Sequence, residues 1–280
     1  LSGMLICSTA AVTASQTPGN IARRQTVIVV VGAAGEAEYA AQFAKWGHLW
    51  EQACTRSNAE FVAVGLGGTS GEQQAIGGEA PNPGSVEVPD RSRIQELLSL
   101  QSRADATSAV SALWLVLIGH GTFDGRTAKF NLRGPDLSAA ELAEWLKPIR
   151  SPIAVIDTAS SSAPFIKELS APGRIVISAT KSGFEQNYAR FGQYMAEAIA
   201  DPKADLDKDG QTSLLEAFLT ASHATAEFYA AAGRLATEHA LLDDNGDTLG
   251  TPAEWFRGIR PVKKARDDAS LDGYHAHQLH

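Results

Sequence analysis

The stretch Ala112-Leu113-Trp114-Leu115-Val116-Leu117-Ile118-Gly119-His120-Gly121 decides the fold class. It is an unbroken apolar run with no polar alternation, so both faces of the strand it forms must be covered. Two glycines around a histidine then end it. The same signature recurs at Thr26-Val27-Ile28-Val29-Val30-Val31-Gly32, Phe61-Val62-Ala63-Val64, Ile153-Ala154-Val155-Ile156-Asp157 and Arg174-Ile175-Val176-Ile177-Ser178. Helical periodicity fills the gaps. It runs from Ala37 to Thr55 through Phe43, Trp46, Leu49, Trp50 and Cys54. Asp90 caps a helix through Ile94, Leu97, Leu98 and Leu100. Ser138 heads a helix through Leu142, Trp145 and Leu146, with Glu141 completing a capping box. Phe165 to Leu169 and Tyr188 to Ala200 follow. This alternation predicts an α/β three-layer sandwich, a mostly parallel sheet with helices on both faces. Gly65 to Pro89, rich in Gly, Pro and Ser, reads as a long surface loop.

The 280 residues carry 24 Lys+Arg against 32 Asp+Glu, a net charge of −8. A nucleic-acid protein needs a basic face to displace phosphate counterions, so that class is set aside. The balance suits a protein that holds cations. No apolar run is long enough to span a bilayer. Two cysteines, Cys7 and Cys54, make neither a disulfide framework nor a zinc ribbon. Leu1 to Gln16 is apolar, then small, with an A-x-A-like end at Ala11 to Ala14; it reads as the tail of a secretory signal peptide and predicts export. Cys54, on a helical face, is expected to be a packed thiol and not a nucleophile.

In parallel sheets chemistry collects at the carboxyl ends of strands. Gly32-Ala33-Ala34-Gly35 lacks the full G-x-G-x-x-G and reads as a tight turn. His120, freed on both sides by glycine, is placed to act as a general base. The next buried strand ends in Asp157-Thr158-Ala159-Ser160-Ser161-Ser162, and the two strand ends are expected to share a site as parallel neighbours. Phe123-Asp124-Gly125 and Phe130-Asn131-Leu132 read as a short hairpin beside it. Lys181 or Glu185, after the fifth strand, is placed to meet a charged side chain.

Leu115 to Gly121 resembles the apolar strand plus His-Gly of the caspase, legumain and gingipain group of cysteine peptidases. Ala154 to Ser161 resembles that group's following strand, and Val27 to Cys54 the start of a legumain-type (peptidase C13) domain. The resemblance covers about 25–200 and implies a caspase-hemoglobinase-like fold, with a peptide or protein ligand in the strand-end cleft. Ala159 stands where the family places its catalytic cysteine, so the thiolate mechanism cannot run. Three readings follow: an inactive pseudo-peptidase, a cysteine endopeptidase disarmed at Ala159, or a hydrolase using Ser160 as nucleophile with His120 as base. A purely structural exported calcium protein would leave His120 without a role.

Asp205-Leu206-Asp207-Lys208-Asp209-Gly210-Gln211-Thr212-Ser213-Leu214-Leu215-Glu216 fits an EF-hand-type Ca²⁺ loop. Asp205, Asp207 and Asp209 occupy positions one, three and five, Gln211 seven, Ser213 nine and Glu216 twelve. Alternate carboxylates converge on one hard cation, and Gly210 permits the turn. The helix Leu214 to Ala231 forms the exit side. A second set, Asp243, Asn245, Asp247 and Glu254, has the same spacing but Thr248 in the glycine position, and follows a helix expected to end at Leu242. The expected organisation is a signal remnant (1–16), the main domain (25–200), its calcium-loop and helical extension (201–260) and a flexible tail (261–280).

Overall fold

The computed structural model describes residues 24–67, 88–105 and 110–280. The signal-peptide reading and most of the expected 65–89 loop lie outside these residues. In chain order the described elements are β1 (Arg24–Val31), α1 (Ala37–Ser57), β2 (Glu60–Val64), α2 (Asp90–Asp105), β3 (Val110–Ile118), β4 (Gly121–Phe123), β5 (Ala128–Phe130), β6 (Leu137–Ser138) and α3 (Ala139–Leu146). Then come β7 (Ile153–Asp157), α4 (Ala163–Leu169), β8 (Arg174–Ser178), α5 (Phe191–Ala200), α6 (Leu214–Ala231), β9 (Leu241–Asp243), β10 (Thr251–Pro252), β11 (Phe256–Arg257), β12 (Arg260–Pro261) and α7 (Tyr274–His277).

The central sheet has seven strands in the order β10-β9-β8-β7-β3-β1-β2. The strands from β2 to β8 pair in parallel, and β9 and β10 add antiparallel at one edge. Side-chain alternation splits each apolar strand between two cores. Val27, Val29, Trp114, Val116 and Ile156 pack with Phe43, Trp50, Phe191, Met195 and Phe218 on the face covered by α1, α5 and α6. Ile28, Val30, Leu113, Leu115 and Val155 pack with Ile94, Leu98, Leu142 and Phe165 on the face covered by α2, α3 and α4. The strands are apolar on both sides because both sides face a helix layer. The expected three-layer α/β architecture is therefore present.

Local capping follows the sequence in two places. Ser138 and Ser213 each accept the backbone N–H three residues on, while Glu141 and Glu216 reach back to complete capping boxes. Asp90, expected as a cap, is the first residue of α2, and α5 begins at Phe191 and not at Tyr188. The N-terminus of α5 is instead capped from a distance. Buried Glu238 accepts the backbone N–H groups of Arg190 and Phe191.

Two expectations fail beyond residue 231. No helix runs to Leu242: α6 stops at Ala231, and Leu241–Asp243 is a strand on β8. Apolar Leu241 and Leu242 extend the sheet edge, a context the helical pattern before them concealed. The segment 261–280 is also not a loose tail. Leu279 O accepts from Leu214 N at 2.8 Å, His280 O accepts from Gln25 Nε2 at 2.7 Å, and Ala276 is fully buried. Hydrogen bonds hold this polar segment, so its composition gave no apolar signal.

Candidate functional site

β3 and β7 are parallel neighbours in register from Leu113↔Ile153 to Leu117↔Asp157. The turns that follow them therefore emerge side by side at the carboxyl end of the sheet's central strands. Gly121 and Ser160 stitch them together: Ser160 Oγ donates to Gly121 O at 3.2 Å and accepts Gly121 N–H at 3.4 Å. The approach is so close that a Cβ on Gly121 would lie 2.1 Å from Ser160 O and 3.3 Å from the Ala159 Cβ. Only glycine fits there.

His120 projects into an aromatic nest. Its ring meets Tyr39 edge-on at 4.9 Å and Phe43 at 5.1 Å between centroids, with Tyr188 behind. Its Nε2 is 3.1 Å from the Ala34 carbonyl. A carbonyl can only accept, so Nε2 carries a proton, and Nδ1 is the one nitrogen left that can accept. Sequence reading missed Tyr39 and Tyr188, which lie far from His120 along the chain.

Ala159 is 1% exposed, and its N–H donates to Asp157 Oδ1 at 3.0 Å. The second Asp157 oxygen is buried with no hydrogen-bond partner among the described residues. Burial pushes this carboxyl up to about 7. Ser161 holds φ at +57°, its N–H on Glu185 O at 2.9 Å and its hydroxyl buried without a partner among the described residues. Ser162 accepts Ala179 N–H and pairs with Thr180. The Ser160 hydroxyl is engaged on Gly121, and Ala159 has no reactive atom. Glu185 is held locally, accepting Lys181 N–H and meeting His239 Nδ1 at 2.6 Å. The exposed Phe184 stands edge-on to Phe123 on the rim, at 5.2 Å.

The two acidic loops share one hydrogen-bond pattern. In the first, Asp205 accepts Lys208 N–H at 2.7 Å and Gly210 N–H at 3.0 Å, Asp207 accepts Asp209 N–H, and Asp209 accepts Gln211 N–H. In the second, Asp243 accepts Gly246 N–H at 3.0 Å and Thr248 N–H at 3.1 Å, Asn245 accepts Asp247 N–H, and Asp247 accepts Leu249 N–H. Positions four and six have positive φ in both: Lys208 at 66° and Gly210 at 94°, Gly246 at 78° and Thr248 at 70°. Thr248 thus takes the left-handed turn that its sequence position disfavours.

Glu216 is fully buried, its Oε1 on the backbone N–H groups of Leu206 and Asp207 and its Oε2 on Ser213. Burial opposes its charge, yet the Ser213, Asp207 and Leu206 donors outweigh that and hold its pKa below the usual value. One carboxylate oxygen from each of Asp205, Asp207 and Asp209 falls within 4.8 Å of the others, a set without Glu216. His277 Nε2 sits 3.5 Å from Asp207 Oδ2. In the second loop Glu254 is exposed. Asp272, from the C-terminal segment, accepts Asp244 N–H at 2.9 Å and Asn245 N–H at 3.2 Å, and takes Thr251 Oγ1 at 2.5 Å. It does there what Glu216 does in the first loop. Burial raises its pKa, and the Asp244 and Asp243 charges add to the rise.

No family model matches the chain, and no curated protein is found similar to it. Among solved structures, caspase-1 from Spodoptera frugiperda is similar at a TM-score of 0.46 and 8% identity, over 79% of this chain and 86% of that one. No helix among the described residues is long and apolar enough to cross a membrane.

Proposed function

We propose that the chain is a caspase/legumain-type peptidase-fold protein that has no nucleophile and keeps a strand-end cleft for a peptide or protein ligand. The observation that carries this is the pairing of His120 and Ala159 at adjacent strand ends, joined through Gly121. His120 keeps an oriented ring with Nδ1 open as an acceptor, the arrangement a general base needs. At the neighbouring strand end the chain offers only the Ala159 methyl group. The Ser160 hydroxyl is bound to Gly121, and this argues against the serine-hydrolase alternative. The test is labelling with a fluorophosphonate. The reading expects no labelling and no hydrolysis of a peptide library. Labelling that Ser160→Ala erases would restore the serine hydrolase.

A second property is proposed with it: Ca²⁺ held by the 205–216 loop and by the 243–252 loop. Its support is the shared hydrogen-bond pattern, with three carboxylates converging in the first loop and a further carboxylate bracing positions two and three in each. In the second loop that carboxylate is Asp272, which replaces Glu254 in the reading. Export, suggested by residues 1–16, agrees with a calcium-rich compartment and remains part of the proposal.

A further inference from the structure

Five of the chain's 24 Lys and Arg residues fall within 257–266: Arg257, Arg260, Lys263, Lys264 and Arg266. No acid interrupts them, and Glu254, Asp267 and Asp268 flank the run. In a chain of net charge −8 this is a local reversal of sign. The run forms the β11–β12 hairpin and the segment after it, outside the central sheet. Arg266 meets Asp268 at 3.5 Å. The other four are exposed, and among the described residues none of them pairs with an acid.

Two observations point to an anionic partner with an apolar layer behind its charges. The first is the register. Arg257 stands directly opposite Arg260 across the hairpin, which turns through Gly258 at φ +56°. Directly opposed residues share a face, and like charges placed so are destabilising. An anion shared by the two guanidinium groups would turn that repulsion into attraction. The second is what lies between the charges. Val262 is 50% exposed, and Trp255 and Ile259 are half-buried. Trp255 O accepts Val262 N–H at 2.7 Å, and Lys263 lies over the Trp255 ring at 6.0 Å. A bare polyanion would use the cations and leave Val262 in water. Single-stranded nucleic acid would also stack on an open aromatic face, and Lys263 covers one face of Trp255. An anionic bilayer uses the whole set. Its headgroup phosphates take the cations, tryptophan sits at headgroup level, and the apolar side chains leave water beside it.

We propose that the β11–β12 hairpin, with Val262 to Lys264, docks on a phospholipid surface rich in anionic headgroups, Arg257 and Arg260 sharing a headgroup phosphate. Acids elsewhere on the chain repel such a surface, but at physiological salt their reach is about 8 Å. The contact is therefore local and reversible.

The experiment is co-sedimentation of the full chain with vesicles of phosphatidylglycerol and phosphatidylcholine in equal parts, and with phosphatidylcholine alone. It is run at about 0.1 M NaCl, with EDTA to keep calcium from bridging the acidic loops to headgroups. The expected result is saturable binding to the mixed vesicles and none to phosphatidylcholine. Each cation near an anionic surface is worth about a factor of five, so Arg257→Gln/Arg260→Gln should weaken binding about thirtyfold. Val262→Ser should weaken it severalfold. Lys147→Gln/Lys167→Gln makes the same charge change at exposed positions elsewhere and should weaken it about twofold at most. Because their opposition is unfavourable, the double arginine variant should melt no lower than the parent, so lost binding is not lost fold. No sedimentation with the mixed vesicles up to about 5 mM lipid, or binding that the double variant keeps, would overturn the inference. If heparin or single-stranded DNA is captured through the same arginines while the vesicles are not, the surface serves another polyanion and the lipid inference falls.

Discussion

Asp272 stands to the second acidic loop as Glu216 stands to the first: each buried carboxylate accepts the backbone N–H groups of loop positions two and three and a hydroxyl from position nine. One comes from the helix that follows its loop. The other arrives from the C-terminal segment, 20 or more residues away in sequence. A loop can thus be completed by a residue outside its own motif.

The calcium reading makes a discriminating prediction. Saturating Ca²⁺ should raise Tm, since binding to the native state alone adds about 2.7 kcal/mol at one hundred times the dissociation constant. For a chain this long that is roughly 5–10 °C. Asp205→Asn should remove part of the rise and Asp272→Asn another part, while Glu254→Gln leaves it whole. Differential scanning calorimetry with calcium and with EDTA reads all three. An Asp272→Asn variant with the full rise would return the second loop to an empty polar turn.

Asp157 gives a pH signature. Its folded pKa, about 7, is above the ordinary carboxylate value, so the native state binds more protons than the unfolded state between about pH 4 and pH 7. Stability from this group is therefore present at low pH and lost as pH rises through 7. The slope from one group is at most about 1.4 kcal/mol per unit. Urea unfolding of the parent and Asp157→Asn across this range should show the slope in the parent and its reduction in the variant. Equal slopes would contradict the assignment.

Gly121→Ala should cost about 1–3 kcal/mol, because its new Cβ would meet the Ser160 carbonyl at 2.1 Å, where backbone must give way. A Tm fall of roughly 3–10 °C is expected. An unchanged Tm would mean that the two strand-end turns are not held together as described.

The parallel sheet was legible because continuous apolar runs such as Leu113–Ile118 have few other uses. The neighbouring positions of His120 and Ala159 followed from one crossover between adjacent strands. What escaped was long-range and polar. Tyr39 and Tyr188 reach His120 across the fold, and no local spacing announces them. Asp272 sits in a run of mixed charge whose periodicity says nothing. Leu241 and Leu242 looked helical because two residues at a sheet edge are too few to show a strand period. Glu216 was read only as a calcium ligand, and the hydrogen bonds display a capping role that the Ser213-x-x-Glu216 spacing also encodes.

If the strand-end cleft lacks only its nucleophile, Ala159→Cys supplies it. The measurement is the rate of alkylation by iodoacetamide at position 159, with the buried Cys54 as internal reference. The new thiol should react faster than Cys54, and adding His120→Ala should remove the advantage, since a nearby imidazole favours the thiolate. A thiol at 159 that reacts no faster than Cys54, or whose rate is indifferent to His120, would contradict it.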